Sequence, residues 1–467
     1  MITALLLLTL QADPVAEFRK TVEDLRAAHS KKDEAAEAAA AAKIAQQLAA
    51  AIRAHDTKQP GAEKQLQQMA EALGVAQMLG SSPSYVPFLK RLTELYALDA
   101  AGRTKALDAA KAAMQSVLET IEAPKGYASV WPPSIEQNGA PILLKAFEAR
   151  AKVKSKETDD YIINRDPAKA KAFLATAKPV LDAVAPLGAR RARFDVKYDD
   201  GPAAELPHIS GMLGLTKFLA ATAIAQSQTG DDASARATVR LLWSVAAAPV
   251  DEPLLITALI ETIVLGVAAE ATSDVFAVGK PTAEDFAAVR TALARFNARE
   301  MYDLAWRGEI CMQVVALEKH ILGAAASLPG MLPIETVLRE DIAVGMKIIG
   351  RLRSTTTMSV RDGRDVVAEI DKSTDALPML SALMTPAVSR SWESMISTEA
   401  RVAAVKAGLD AMEFKAKNGT WPKEIKELDP FTGKPLLLRD GVVYSVGPDG
   451  KDDGGDEQKD IRFRIGR

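Results

Sequence analysis

The chain has 467 residues, 48% of them hydrophobic and 25% charged, which allows two or three domains with real cores and is unlike a disordered protein. Its 58 basic and 61 acidic residues leave a net charge of −3, which argues against a nucleic-acid face and against a strongly acidic partner surface. A single cysteine, Cys311, excludes an internal disulfide framework; it sits in the apolar run 310–315 and reads as a small core residue.

Residues 1–12, MITALLLLTLQA, form an apolar run too short to cross a bilayer. They read as the hydrophobic core of a secretory signal cut after Ala12, which places the protein outside the cytoplasm, periplasmic or secreted. The alternative is an uncleaved first helical turn on a cytoplasmic adaptor. Asp13-Pro14 then supplies an N-cap and first-turn pair ahead of Val15, Phe18, Val22 and Leu25 at helical spacing.

Residues 33–52 are alanine-rich and helical, and Thr57 to Gly61 breaks them. Further helices are marked by Phe88, Leu89, Leu92, Leu95 and Tyr96, and by Leu107, Met114, Val117, Leu118 and Ile121. The stretch 123–141, with Trp131-Pro132-Pro133, reads as a loop dividing an N-terminal helical region, 13–130, from a helical body, 131–396.

In the body, Asp166-Pro167 repeats the capping signal, and 193–207 is expected to be a long loop. Helices are expected over 208–228, 231–248 and 254–272; the last, containing Glu261, is apolar nearly all round and reads as a core helix too short and interrupted to span a membrane. Thr282 with Asp285 caps the next helix. The polar stretch 354–373 is expected to be mobile, and 377–395, with Pro378 and Pro386, to form short broken helices. No fixed repeat period emerges, so the body is expected to be irregular and α-helical, with a solenoid-like array of helix–turn–helix units.

The four histidines (His29, His55, His208, His320) lack metal-binding spacing and read as surface or capping residues. Glu318 and His320 point to different helix faces and do not form an acid–base pair. Carboxylates such as Glu309, after Arg307-Gly308, and Glu261 are the candidates for a hidden hydrolase or lyase; the plainer reading is that Gly308 permits close packing and Glu309 pairs with an arginine. Nucleophile elbow, phosphate loop, dinucleotide fingerprint and zinc motif are all absent, so the body is expected to be non-catalytic.

From Ser397 the pattern changes. Val402, Val405, Leu409 and Met412 form one helical stripe that Asn418-Gly419 ends. Asp440-Gly441 between two apolar runs marks a hairpin, and Ile461, Phe463 and Ile465 alternate with Arg462 and Arg464 as a half-buried strand. The tail, 397–467, is therefore expected to be a small α+β domain: one helix on an antiparallel sheet, two strands of which an acidic loop joins.

"KNGTWP", "LDPFTGKPLLLRDGVVYSVGPDGKDDGG" and a final "DI", in that order, resemble the C-terminal globular part of the major pseudopilin of bacterial type II secretion systems. The resemblance covers roughly residues 401–465 and implies that the loop binds Ca²⁺. It implies Asp449 and Asp460 as side-chain ligands, Ser445 and backbone carbonyls as contributors, and Asp453 and Asp456 as further candidates. Pseudopilins begin with a processed glycine–phenylalanine motif and a long hydrophobic helix; neither precedes Arg401, so filament assembly is not implied and the module reads as a C-terminal cap. The body resembles, more weakly, uncharacterised exported bacterial helical proteins with the same tail, which imply no activity.

The residues of the loop speak to the same point. Counted from Asp449, acids fall at positions 1, 5 and 12 and glycine at 6, but Lys451 at position 3, aspartate at 12 and flanking strands rule out an EF-hand. Hard oxygen ligands on a glycine-rich loop suit calcium better than zinc; the alternative is a solvated acidic loop without an ion. The chain is thus expected to be an exported scaffold or protein-interaction protein with a calcium-stapled tail, binding protein partners and no nucleic acid, without a transmembrane helix once mature.

Overall fold

The computed structural model describes residues 13–74, 85–131, 134–249, 252–315, 332–373 and 379–466. The apolar run 1–12 and the Glu318–His320 pair lie outside these. The protein is mainly α-helical, with a small three-stranded antiparallel sheet at its C-terminal end.

Five helices open the chain: α1 (Pro14–Ser30), α2 (Glu34–Asp56), α3 (Ala62–Ala72), α4 (Tyr85–Tyr96) and α5 (Ala100–Thr120). Asp13 caps α1 through the Val15 amide, as its sequence position demands, and Asp33 and Asp99 cap α2 and α5. Phe18, Ile44, Leu48, Leu66 and Leu92 are fully buried in the core these helices build. That core is completed from far along the chain. Helix α15 (Leu332–Ser354) gives it Ile334, Leu338 and Met346, and Arg91 holds both carboxylate oxygens of Glu340 at 2.9 and 2.8 Å.

The middle of the chain forms α6 (Ala140–Lys152), α7 (Lys156–Asn164), α8 (Ala170–Leu174) and α9 (Lys178–Val184), then α10 (Pro207–Gln228), α11 (Asp232–Ala246), α12 (Leu255–Val278), α13 (Ala283–Leu293) and α14 (Ala298–Val315). The described residues of the expected loop at 123–141 carry only a short 3₁₀ turn, Tyr127–Ser129, before α6 begins, and Tyr127 and Val130 are buried in the main core. Helices α10, α11 and α12 pack together, and the Trp243 indole N–H donates to Thr272 Oγ1 at 2.7 Å inside that packing. The capping box at Thr282 and Asp285 is formed.

By length and composition, α10 and α12 could each cross a membrane, a correction to the expectation that the latter is too short. Both do core work here, since 67% and 50% of their most apolar windows are buried inside the protein.

Two expectations about the last third fail. The polar stretch 354–373 is ordered: after α15 (Leu332–Ser354) and a 3₁₀ turn, α16 (Val360–Ser373) buries Ile370 and Val367. From residue 379 on, the expected broken helices are one helix, α17 (Met379–Asn418), that continues through Pro386 and across the expected boundary at residue 397; Pro378 lies outside the described residues. Its Trp392, Met395, Ile396, Val405 and Leu409 are all buried, and this continuous packing outweighs the local cost of proline. Ion pairs fasten it sideways: Arg299 of α14 to Glu399 (2.6 Å) and Arg290 of α13 to Glu413 (3.0 Å).

The sheet, β1 (Leu437–Arg439), β2 (Val442–Ser445) and β3 (Ile461–Arg464), has strand order β1-β2-β3. Asp440 and Gly441 both take positive φ, 49° and 72°, as the hairpin turn requires. Val443 pairs with Phe463 in register, and both are buried against α17. A Cβ at Gly408 would sit 2.2 Å from the Phe463 ring, so the glycine is what lets helix and sheet meet. Ser273 of α12 joins the sheet edge too, donating to the Arg464 carbonyl (2.9 Å) and accepting from its amide (3.0 Å).

Candidate functional site

The acidic loop is positioned from beneath by Asp429, which is 2% exposed. Its carboxylate accepts from the Ser445 hydroxyl (2.9 Å), the Phe431 amide (2.9 Å) and the Val446 amide (3.0 Å), tying the 429–434 turn to the end of β2. The sequence signal for Asp429, not among the expected site residues, is its place in "LDPF", where an aspartate can bond the amide two residues on.

Beyond β2 the chain turns on Gly447, Gly450, Gly454 and Gly455, all at positive φ. At Gly447 a side chain would also strike the Lys459 carbonyl, 2.4 Å from its Cβ. The expected site residues fall into two groups. Asp449 and Asp456 each accept the amide two residues ahead, Lys451 and Gln458, at 3.0 and 2.9 Å. Asp460 folds back instead: Oδ2 accepts the Gly455 (2.7 Å) and Asp456 (3.0 Å) amides.

The Oδ1 of Asp460 is buried and has no hydrogen-bond partner, on a residue only 5% exposed; Oδ2 of Asp453 is likewise buried and unpartnered. Lys459 pairs with Asp453 Oδ1 at 2.9 Å, and the charges of Asp453, Asp456 and Asp449 together raise its pKa. Of the candidate ligands, Asp453 is therefore already paired with a cation of the protein's own. Ser445 is differently placed. Fully buried, its hydroxyl donates to Asp429 and accepts from Gly447 (3.2 Å). Asp452, not singled out from sequence, takes the Tyr444 hydroxyl (2.8 Å) and Arg439 (3.1 Å), and the Tyr444 bond leads the causes that lower its pKa.

Among the described residues no three His, Cys, Asp or Glu side chains converge as a ready metal cage. The donor set nevertheless fits a hard cation. It is oxygen-only, carried on a loop that four positive-φ glycines let bend, and two of its carboxylate oxygens are buried without partners.

The body holds a second cluster. Glu252 accepts from Tyr198 (2.8 Å), His208 Nε2 (2.8 Å) and Thr257 (2.8 Å). Burial works to raise its pKa, but these three partners hold the carboxyl below its usual value. His208, expected at the surface or at a cap, is thus a core residue, 2% exposed and stacked on Phe194 at 4.3 Å. Tyr198 in turn stacks on Tyr127.

Near this cluster lie both carboxylates singled out from sequence. Glu261 is 4% exposed; burial, assisted by the charge of Glu252, drives its pKa well above the ordinary carboxylate value. Glu309 accepts the Leu255 amide at 3.0 Å, and burial outweighs that bond to raise its pKa as well. Gly308 is the close-packing glycine: its Cβ would lie 1.7 Å from the Pro253 carbonyl oxygen. Cys311 is 2% exposed, and burial pushes its thiol up to about 11, which leaves it unionised and a poor nucleophile.

Comparison with protein-family models, curated proteins and solved structures finds no match for this chain.

Proposed function

We propose that this is a non-catalytic, exported scaffold or protein-interaction protein whose pseudopilin-like C-terminal domain is stapled by Ca²⁺ and links it to type II secretion. The observation that carries the reading is Asp460. Its Oδ2 orders the loop through two amides while the buried Oδ1 lacks a partner, an arrangement that costs stability unless a cation or donor joins it. Asp460 and Asp449 would be the principal ligands, with Asp453 released from Lys459 as the ion enters and Asp456 a further candidate. Ser445 would contribute least, since its hydroxyl already serves Asp429 and Gly447. The apolar run at 1–12 supports export.

Non-catalysis is supported by the saturation of Glu252 and by the capping duty of Glu309. The second reading, a hydrolase or lyase, is favoured by one observation: Glu261 is a buried acid with an unpartnered oxygen, Oε1, and burial raises its pKa. Amide hydrogen exchange on the full chain separates these ideas. Calcium should slow exchange across residues 447–460 and leave the body unchanged; identical exchange with and without Ca²⁺ overturns the staple.

A further inference from the structure

A cavity of about 600 Å³ opens where the C-terminal sheet meets α12 and α17, a size suited to a small molecule. One wall is α12, with Ile263 (47% exposed), Gly266 and partly buried Val267; across from it lie β3 and the end of the acidic loop.

Most charges around it are already satisfied. Glu270 pairs with Arg165 (2.9 Å), Asp274 with Arg464, and Glu457 with Arg462 (2.5 Å). Among the cations of the lining Arg401 is the exception: it makes no hydrogen bond or ion pair with any described residue, and its guanidinium lies over Gly266, 3.6 Å from where a Cβ would stand. Burial pulls its pKa below the ordinary arginine value, the cost of a desolvated cation to which only the field of Glu270 is opposed.

We propose that this cavity binds a small monocarboxylate, free or as a chain terminus, through the guanidinium of Arg401, with an aliphatic substituent against Ile263 and Val267. The planar guanidinium fork matches a carboxylate with two parallel hydrogen bonds. A phosphate dianion is disfavoured, because four carboxylates (Glu270, Asp274, Glu457, Asp460) share the lining with three arginines.

The test is a calorimetric titration of the full chain in EDTA, which keeps the outcome independent of the calcium reading. The probes are N-acetyl-leucine, N-acetyl-leucinamide and the acetylated tripeptide Ala-Ala-Leu. At least one acid should bind saturably with Kd below about 1 mM, and the amide at least about tenfold more weakly. Tighter binding of the tripeptide assigns the site to chain termini; tighter binding of the single residue assigns it to free acids. Arg401→Met should abolish binding and Arg401→Lys weaken it about tenfold or more. The acid–amide comparison in the unmodified protein stands even if a variant fails to fold. Absence of saturable acid binding up to about 20 mM, equal binding of acid and amide, or unchanged binding by a folded Arg401→Met protein overturns the proposal.

Discussion

The Oε1 atom of Glu309 accepts the backbone amide of Leu255 at 3.0 Å, so a side chain on α14 closes the open amino end of α12. The residue before α12, Leu254, has no side chain that could do so. Glu309→Ala should cost about 1 kcal/mol in urea unfolding, and Glu309→Gln, which keeps an acceptor, less than half of that. Gly308→Ala drives a methyl into the Pro253 carbonyl and should cost about 3 kcal/mol or more. Equal loss in the Ala and Gln variants at 309 would contradict the capping role.

Asp429 links the 429–434 turn to β2 through three donors. Removing a buried acceptor strands its donors, so Asp429→Ala should destabilise by about 3 kcal/mol. The Phe431 and Val446 amides should lose exchange protection at lower urea than the α10 amides do. Unchanged protection at both would remove Asp429 as the anchor.

Glu261 should make the protein less stable as pH rises. Its folded pKa lies above its unfolded value, so between the two the native state holds a proton that the unfolded chain has lost. The stabilisation is complete below the unfolded value and fades as pH climbs through the folded one. Glu261→Gln should therefore raise the urea midpoint at pH 8 and leave it nearly unchanged at pH 4; an unaltered pH slope contradicts this.

Much of the fold was legible because local chemistry and tertiary packing agree. The caps at Asp13 and Thr282, the Asp440-Gly441 turn and the alternation at Ile461, Phe463 and Ile465 are read from neighbours in sequence, and each is formed. The misreadings at α16 and α17 share a cause. Their polar or proline-bearing segments look weak alone, and burial of Ile370, Trp392 and Met395 against remote helices decides them. His208 was misjudged for the same reason, since its partner Glu252 is 44 residues away and no spacing rule points there. At the loop, the aspartates were legible as a group, but which oxygens are already bonded is visible only in three dimensions. The pairing that leaves Arg401 out is equally a property of the packed chain.

The calcium staple centred on Asp460 is tested most directly by thermal unfolding of the full chain in 2 mM Ca²⁺ against EDTA, with Mg²⁺ as control. An ion present at about 100 times its Kd adds about 2.7 kcal/mol to the folded state, which for a chain of this size corresponds to a rise of about 3 °C. The expected result is that rise in the unmodified protein and in Ser445→Ala, none with Mg²⁺, and none in Asp460→Asn. Equal midpoints in Ca²⁺ and EDTA, or a full rise retained by Asp460→Asn, would contradict it.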